Sequence, residues 1–257
     1  MTSNAIVEAK SVGVVFDDQH TAVAGVDLEL RSSEFVSIVG PSGCGKSTLL
    51  KLIAGLVQPT AGEILVAGRT AVETRQSDHR VAFVFQEPNL LPWRTVAENI
   101  RLPMELHRAE ADARNHAVED SIRLIGLKPE DANKYPRMLS GGMRMRVSLA
   151  RALVTNPEIL LLDEPFTAID DLMRQQLNEE LMRIWLEKKW TAAFVTHNVA
   201  EAVFLSQRVL VMSEGPGRIV QEISVPFPYP RDAKLRSNSE FARLTGEVHS
   251  MLRNRKT

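Results

Sequence analysis

Apolar and polar positions alternate along the first thirty residues. Val12, Val14 and Phe16 share one side of an extended chain, and Val26, Leu28 and Leu30 do the same after Gly25, which reads as a turn. Residues 35–39, Phe-Val-Ser-Ile-Val, form a short apolar run, the pattern of a strand buried on both faces. A Gly-rich turn follows, and 47–56 has helical spacing. Residues 80–85 predict another strand. From 95 to 126 the β pattern vanishes: Ala97, Ile100, Leu102 and Leu106, then Val118, Ile122, Leu124 and Ile125, fall at helical spacing, with Gly126 as the stop. Strands return at 159–162, 191–195 and 208–212, with a helix at 171–187 between the first two. Strands alternating with helices predict a parallel sheet covered on both faces, with a helical insertion. From Val225 the character changes again. Pro226, Pro228 and Pro230 make an extended arm, and Phe241, Leu244 and Val248 mark one face of a last helix. About thirty residues are too few for a further independent domain.

The 257 residues are 44% hydrophobic and 25% charged, the values of a globular protein rather than a disordered chain, a collagen or a coiled-coil rod. With 31 Lys and Arg against 32 Asp and Glu, the net charge is −1, which gives no electrostatic case for a nucleic-acid partner or an anionic membrane surface. The longest apolar stretch, 49–57, is interrupted by Lys51 and is far below the ~20 residues of a spanning helix. Residues 1–10 lack the basic region and apolar core of a signal peptide, so the expected place of work is the cytoplasm, and any membrane attachment must come from another chain. Cys44, the one cysteine, cannot form an internal disulfide.

The chemistry concentrates in two segments. Gly40-Pro41-Ser42-Gly43-Cys44-Gly45-Lys46-Ser47-Thr48 follows a strand and opens a helix, the context in which G-x-x-x-x-G-K-[ST] binds phosphate. Its glycines let backbone N–H groups point at phosphate oxygens, and the helix N-terminus favours negative charge. Lys46 suits the β- and γ-phosphates, and the Ser47 hydroxyl suits Mg²⁺. The strand at 159–162 ends in Asp163 and Glu164. Asp163 is expected to hold Mg²⁺ through water and Glu164 to take a proton from the attacking water.

Leu139-Ser140-Gly141-Gly142-Met143, ahead of a helix at 144–154, resembles the signature of ATP-binding cassette (ABC) ATPases. Other landmarks follow in that family's order over residues 5–224. Phe16 resembles the aromatic that stacks on adenine, Gln86 the Q-loop glutamine and a further metal ligand, and Thr167-Ala168-Ile169-Asp170 the D-loop. His197 resembles the switch histidine. Met143 stands where the family most often has Gln, and Ile169 where it has Leu. The Ser140 hydroxyl and the backbone N–H groups near Gly142 survive both changes. The resemblance implies an α/β P-loop NTPase core with a mostly parallel sheet, an N-terminal antiparallel β subdomain and a helical subdomain at about 87–155. Residues 225–257 then form a short C-terminal arm.

It also implies a mechanism. Two copies pair head to tail, each ATP lying between the phosphate loop of one and Ser140-Gly141-Gly142 of the other, and Asp170 of the D-loop is expected among the nucleotide-binding residues. Leu91-Pro92-Trp93-Arg94-Thr95-Val96, Glu98-Asn99 and Pro216-Gly217-Arg218-Ile219 are similar to the nitrate, sulfonate and taurine branch of importers. That branch implies a permease partner at the cytoplasmic face of the membrane and, indirectly, an extracytoplasmic solute-binding protein. The alternatives are a soluble ABC ATPase acting on DNA or ribosomes, and the ATPase of an exporter or lipid transporter. Two details stay open, at Trp93 and Cys44. Trp93 either anchors the permease or plugs the core. Cys44 is either a small filler or a reactive thiol with a lowered pKa. His20, His79, His107, His116 and His249 show no metal-ligand spacing.

Overall fold

A computed structural model describes residues 5–17, 19–77, 81–106 and 110–253. His79, Arg80 and His107 lie outside these, as do residues 1–4 and the last four of the arm. Strands β1 (Ala5–Val15) and β2 (Thr21–Arg31) pair antiparallel, followed by β3 (Phe35–Val39) and helix α1 (Lys46–Ile53). Next come β4 (Ala61–Val66), the two-residue β5 (Arg69–Thr70), α2 (Ala71–Ser77) and β6 (Val81–Val84). Helices α3 (Val96–Leu106), α4 (Ala111–Leu124) and α5 (Gly141–Leu153) separate β6 from β7 (Ile159–Asp163). Then follow α6 (Asp171–Lys188), β8 (Thr191–Val195), α7 (Val199–Leu205), β9 (Arg208–Met212), β10 (Ile219–Ser224) and α8 (Ser239–Arg253).

The strands form two sheets, ordered β2-β1-β4-β5 and β10-β9-β3-β8-β7-β6. The first is antiparallel. In the second, β9, β3, β8, β7 and β6 are parallel, and β10 joins β9 antiparallel. Successive residues of the central strands serve opposite faces. Phe35, Leu160, Leu162, Phe194 and Val211 pack toward Leu181 and Trp185 of α6 and Val203 of α7. Val36, Ile38, Leu161, Val195 and Leu210 pack toward Leu49 and Leu52 of α1 and Val12 and Val26 of the antiparallel sheet. Burial on both faces explains why these strands read as continuous apolar runs.

Three expectations change. Gly25 is no turn: it sits inside β2 at φ 60°, where the register jumps from Val12↔Val26 to Val14↔Val23, so it marks a bulge. The reversal is at residues 16–20, closed by Phe16 N–H to the His20 carbonyl (3.0 Å), and Phe16 stands just past the strand rather than in it. The first helix stops at Ile53, short of Leu56. The elements from β4 to α2, with β10 and α7, were not foreseen.

The arm is fastened to α7. Arg231 is buried, and its guanidinium donates to the carbonyls of Val203 (3.0 Å), Phe204 (2.9 Å) and Ser206 (2.9 Å), satisfying the buried C-terminal carbonyls of α7. Two further bonds run to the Phe227 carbonyl. Tyr229 donates to the Leu205 carbonyl at 2.6 Å, and burial pushes its phenol up to about 12. Arg231→Met would strand those carbonyls away from water, at a cost of about 3 kcal/mol or more. A thermal melt should show the midpoint falling by roughly 5–10 °C. An unchanged midpoint would mean that the arm contributes nothing to the fold.

Candidate functional site

In a parallel sheet every strand delivers its C-terminal end to the same edge. Register fixes the neighbours: Ile38 of β3 opposes Val195 of β8, Asp163 of β7 also opposes Val195, and Val84 of β6 opposes Leu162. The segments that follow these strands therefore emerge together. They are the loop 40–47, the Thr196-His197 turn, Asp163-Glu164 and the Gln86 segment.

The loop curls because Gly43 (φ 75°) and Gly45 (φ 95°) occupy the left-handed region. A Cβ on Gly45 would collide with the Ala22 carbonyl oxygen, so β2 lies directly under the loop. Gly217, in the turn before β10, closes the same floor. Its N–H donates to the Ala22 carbonyl (3.0 Å), its carbonyl accepts from Ala24 N–H (3.0 Å), and a Cβ there would strike the Cys44 carbonyl. Lys46 is buried at the helix start, with Nζ donating to the carbonyls of Gly40 (3.0 Å) and Pro41 (2.8 Å). Ser42 and Gly43 are exposed at the loop's crest, and Thr48 is half-buried in the first turn of α1.

Two pairs of side chains converge beside the loop. The Ser47 hydroxyl donates to Asp163 Oδ1 at 2.7 Å. Burial pushes the Asp163 carboxyl up, opposed by this bond. His197 Nδ1 lies 3.0 Å from Glu164 Oε2, and Thr167 Oγ1 donates to the same oxygen at 3.0 Å. Glu164 itself sits at φ 45°, a conformation costly for a non-glycine residue, and its N–H is held by the Val195 carbonyl at 3.0 Å. Thr167 escaped the sequence reading as a partner of Glu164. The three-residue spacing to that carboxylate was its one signal.

Among the described residues, the other expected site residues share no hydrogen bond with these two pairs. Phe16 is exposed beyond β1, and Gln86 is exposed after β6. Ser140 caps α5, accepting from Met143 N–H at 3.3 Å, with Gly141 exposed and Gly142 packed near Met173. Asp170 caps α6, accepting from Met173 N–H at 3.0 Å. Among the described residues, no hydrogen bond joins Ser140, Gly141 or Gly142 to the phosphate loop of the same chain.

Trp93 is 71% exposed, which ends the core-plug reading. Its loop is held firmly. The Asn99 side chain is fully buried, accepts from Leu91 N–H (2.8 Å) and donates toward the carbonyls of Leu91 (3.2 Å), Arg94 (3.0 Å) and Thr95 (2.9 Å). Thr95 and Glu98 form a reciprocal cap at the start of α3.

Residues 23–167 match the family described as ABC transporter. The chain is 49% identical over 216 residues to the nitrate import ATP-binding protein NrtC of Synechococcus elongatus, covering 83% of this chain but 32% of that protein. It is 45% identical over 224 residues to the aliphatic sulfonates import ATP-binding protein SsuB 1 of Mesorhizobium japonicum, covering 87% and 80%. The dimeric post-hydrolysis structure of the ATP-binding cassette MJ0796, bound to ADP and Pi, superposes with a TM-score of 0.75. It is 31% identical and covers 86% of this chain and all of that one.

Cys44 decides as a filler. It is 1% exposed, its sulfur lies where a Cβ on Gly40 would need to be, and burial pushes the thiol up rather than down, against the opposing charge of Lys46. The thiolate fraction is therefore small at neutral pH and grows as pH rises toward that raised pKa. The native protein at pH 7.5 should react with a maleimide at least ~10-fold more slowly than the denaturant-unfolded chain. Equal rates would contradict the burial.

Proposed function

The chain belongs to the ABC transporter ATP-binding family, and from that premise we propose that it is the ATP-hydrolysing subunit of an importer for a small anion. The carrying observation is the convergence of the Lys46 loop, the Ser47–Asp163 pair and the Glu164–His197 pair at one sheet edge. The N–H groups of loop 40–47 and the Lys46 ammonium bind the phosphates. Ser47 and Asp163 are hard oxygen donors that fit Mg²⁺, with Gln86 joining from its loop. When bound, the ion would offset phosphate charge. Glu164 accepts the proton of the attacking water, and His197 and Thr167 hold its carboxylate in place. Phe16 offers an exposed ring to adenine.

The exposed N-terminus of α5 supports pairing with a second copy. Ser140, Gly141 and the first N–H groups of a 13-residue helix form an anion site that the chain's own loop does not use. Against the γ-phosphate of the other copy they complete the charge compensation and exclude water. Asp170, at the head of α6, belongs to the same junction.

The proposed permease contact is an apolar cavity beside the Gln86 loop. A cavity of about 420 Å³ is lined by Leu56, Phe83, Phe85, Leu102, Pro103 and Leu106. Arg151 also lines it and donates to the carbonyls of Pro88 (2.7 Å) and Asn89 (2.8 Å), so movement in this wall reaches the Gln86 loop directly. No helix among the described residues is long and apolar enough to cross a membrane. The proposed location is the cytoplasmic face of the membrane, held there by permease subunits, with an extracytoplasmic solute-binding protein delivering the solute. Relatives named for nitrate and aliphatic sulfonate import support the anion class. Co-purification with the permease, then ATPase stimulation by binding protein loaded with nitrate or a sulfonate, tests this reading. Absence of stimulation by any loaded binding protein would overturn it.

Two substitutions test the parts. Glu164→Gln should keep ATP binding and lower turnover about 10²–10⁴-fold, measured by phosphate release, whereas near-normal turnover would remove Glu164 from the role of base. Trp93→Ala should weaken permease binding by ~2 kcal/mol or more, yet leave the melting temperature of the isolated subunit unchanged. A large drop in that temperature would contradict the surface role.

A further inference from the structure

Glu201 is a carboxylate only 4% exposed, on the first turn of α7, and the reaction as described does not use it. Its surroundings form a closed ring around the turn that carries His197. Thr196 Oγ1 donates to Glu201 Oε2 at 2.6 Å and accepts from Asn198 N–H at 3.0 Å. Asn198 Oδ1 accepts from Glu201 N–H at 3.2 Å and so caps α7. Both neighbours of His197 are thus pinned, while the imidazole stays free to face Glu164 Oε2 at 3.0 Å.

The other carboxylate oxygen faces α6. Glu201 Oε1 lies 3.4 Å from Asn178 Nδ2 and 3.7 Å from Arg174 Nε. Arg174 also donates from Nη2 to Asp171 Oδ1 at 2.6 Å, in the residue next to Asp170. Polar contacts therefore run from Thr196, the residue before His197, through Glu201 and Arg174 to the head of α6. Burial pushes the Glu201 carboxyl up, opposed first by the Thr196 bond and then by Arg174. Desolvation offsets much of the attraction in such a pair, so it is weak evidence of added stability.

We propose that Glu201 is a positioning residue: it sets the orientation of His197 toward Glu164 and ties that orientation to the Asp170 end of α6. The inference rests on the proposed role of His197 and goes beyond it. Because Asp170 lies at the proposed junction with the second copy, closure of the dimer is transmitted to the Glu164–His197 pair along these contacts.

The test uses the full-length protein and steady-state ATPase kinetics of Glu201→Gln, His197→Ala and the double variant. Glu201→Gln should lower kcat about 10-fold with KM for ATP within about twofold, and should add no more than about twofold to the loss already caused by His197→Ala. Losses that multiply in the double variant would overturn the proposal, since Glu201 would then act independently of His197. So would a wild-type kcat in Glu201→Gln alongside an impaired His197→Ala. A wild-type kcat in His197→Ala would instead remove the role of His197 itself. If Glu201→Gln does not fold, Thr196→Val and Thr196→Ser decide. Val should reproduce the kcat loss and Ser should restore activity, and equal activity of the two would overturn the proposal.

Discussion

Parallel pairing of β3, β8 and β7 is the constraint on which the site depends. A parallel ladder cannot be closed by hairpins, so each strand needs a crossover, and every strand ends at the same edge. Three strands buried on both faces carry almost no polar side chains along their length. The polar residues gather where the strands stop: Gly40 to Ser47, Asp163 with Glu164, and Thr196 with His197. None of these groups is near another in sequence. The shared strand ends, with the curled loop after β3, bring Ser47 to 2.7 Å from Asp163 and His197 to 3.0 Å from Glu164.

The antiparallel sheet supports that edge from below. β2 runs under the phosphate loop, and the Ala22–Gly217 bonds lock it to the turn between β9 and β10. The bulge at Gly25 bends β2 as it approaches this contact. Two sheets with different topologies thus share one floor, and Gly217 is needed there because any side chain would enter the loop. On the far side, the arm closes α7 through Arg231, and α7 in turn carries Glu201 behind the His197 turn.

Much of this was legible in the sequence. The phosphate loop stood out because strand, loop and helix signals occur in order within twenty residues. The signature stood out because Leu139-Ser140-Gly141-Gly142-Met143 resembles a family motif ahead of a helix, and Asp163-Glu164 because an apolar run ends abruptly in two acids. What stayed hidden was long-range. Gly25 looked like a turn because a bulge and a turn use the same positive φ, and the partner strand that separates them is not local. Trp93 could not be assigned, since its exposure depends on how Asn99 gathers the loop beneath it. Cys44 stood between a small filler and a thiol activated by Lys46 and the helix start, and burial outweighs both activating effects. Glu201 drew no reading from the sequence, because α7 was not foreseen and its partners Arg174 and Asn178 come from an element more than twenty residues earlier.

In the proposed arrangement each catalytic site is complete only when the α5 terminus of a second copy meets the phosphate loop. Sedimentation of the Glu164→Gln chain with and without saturating Mg-ATP probes this arrangement. The expected result is a monomer without nucleotide and a doubling of mass with it, abolished when Ser140→Arg is added. A chain that binds ATP and remains monomeric, or a dimer indifferent to Ser140→Arg, would contradict it.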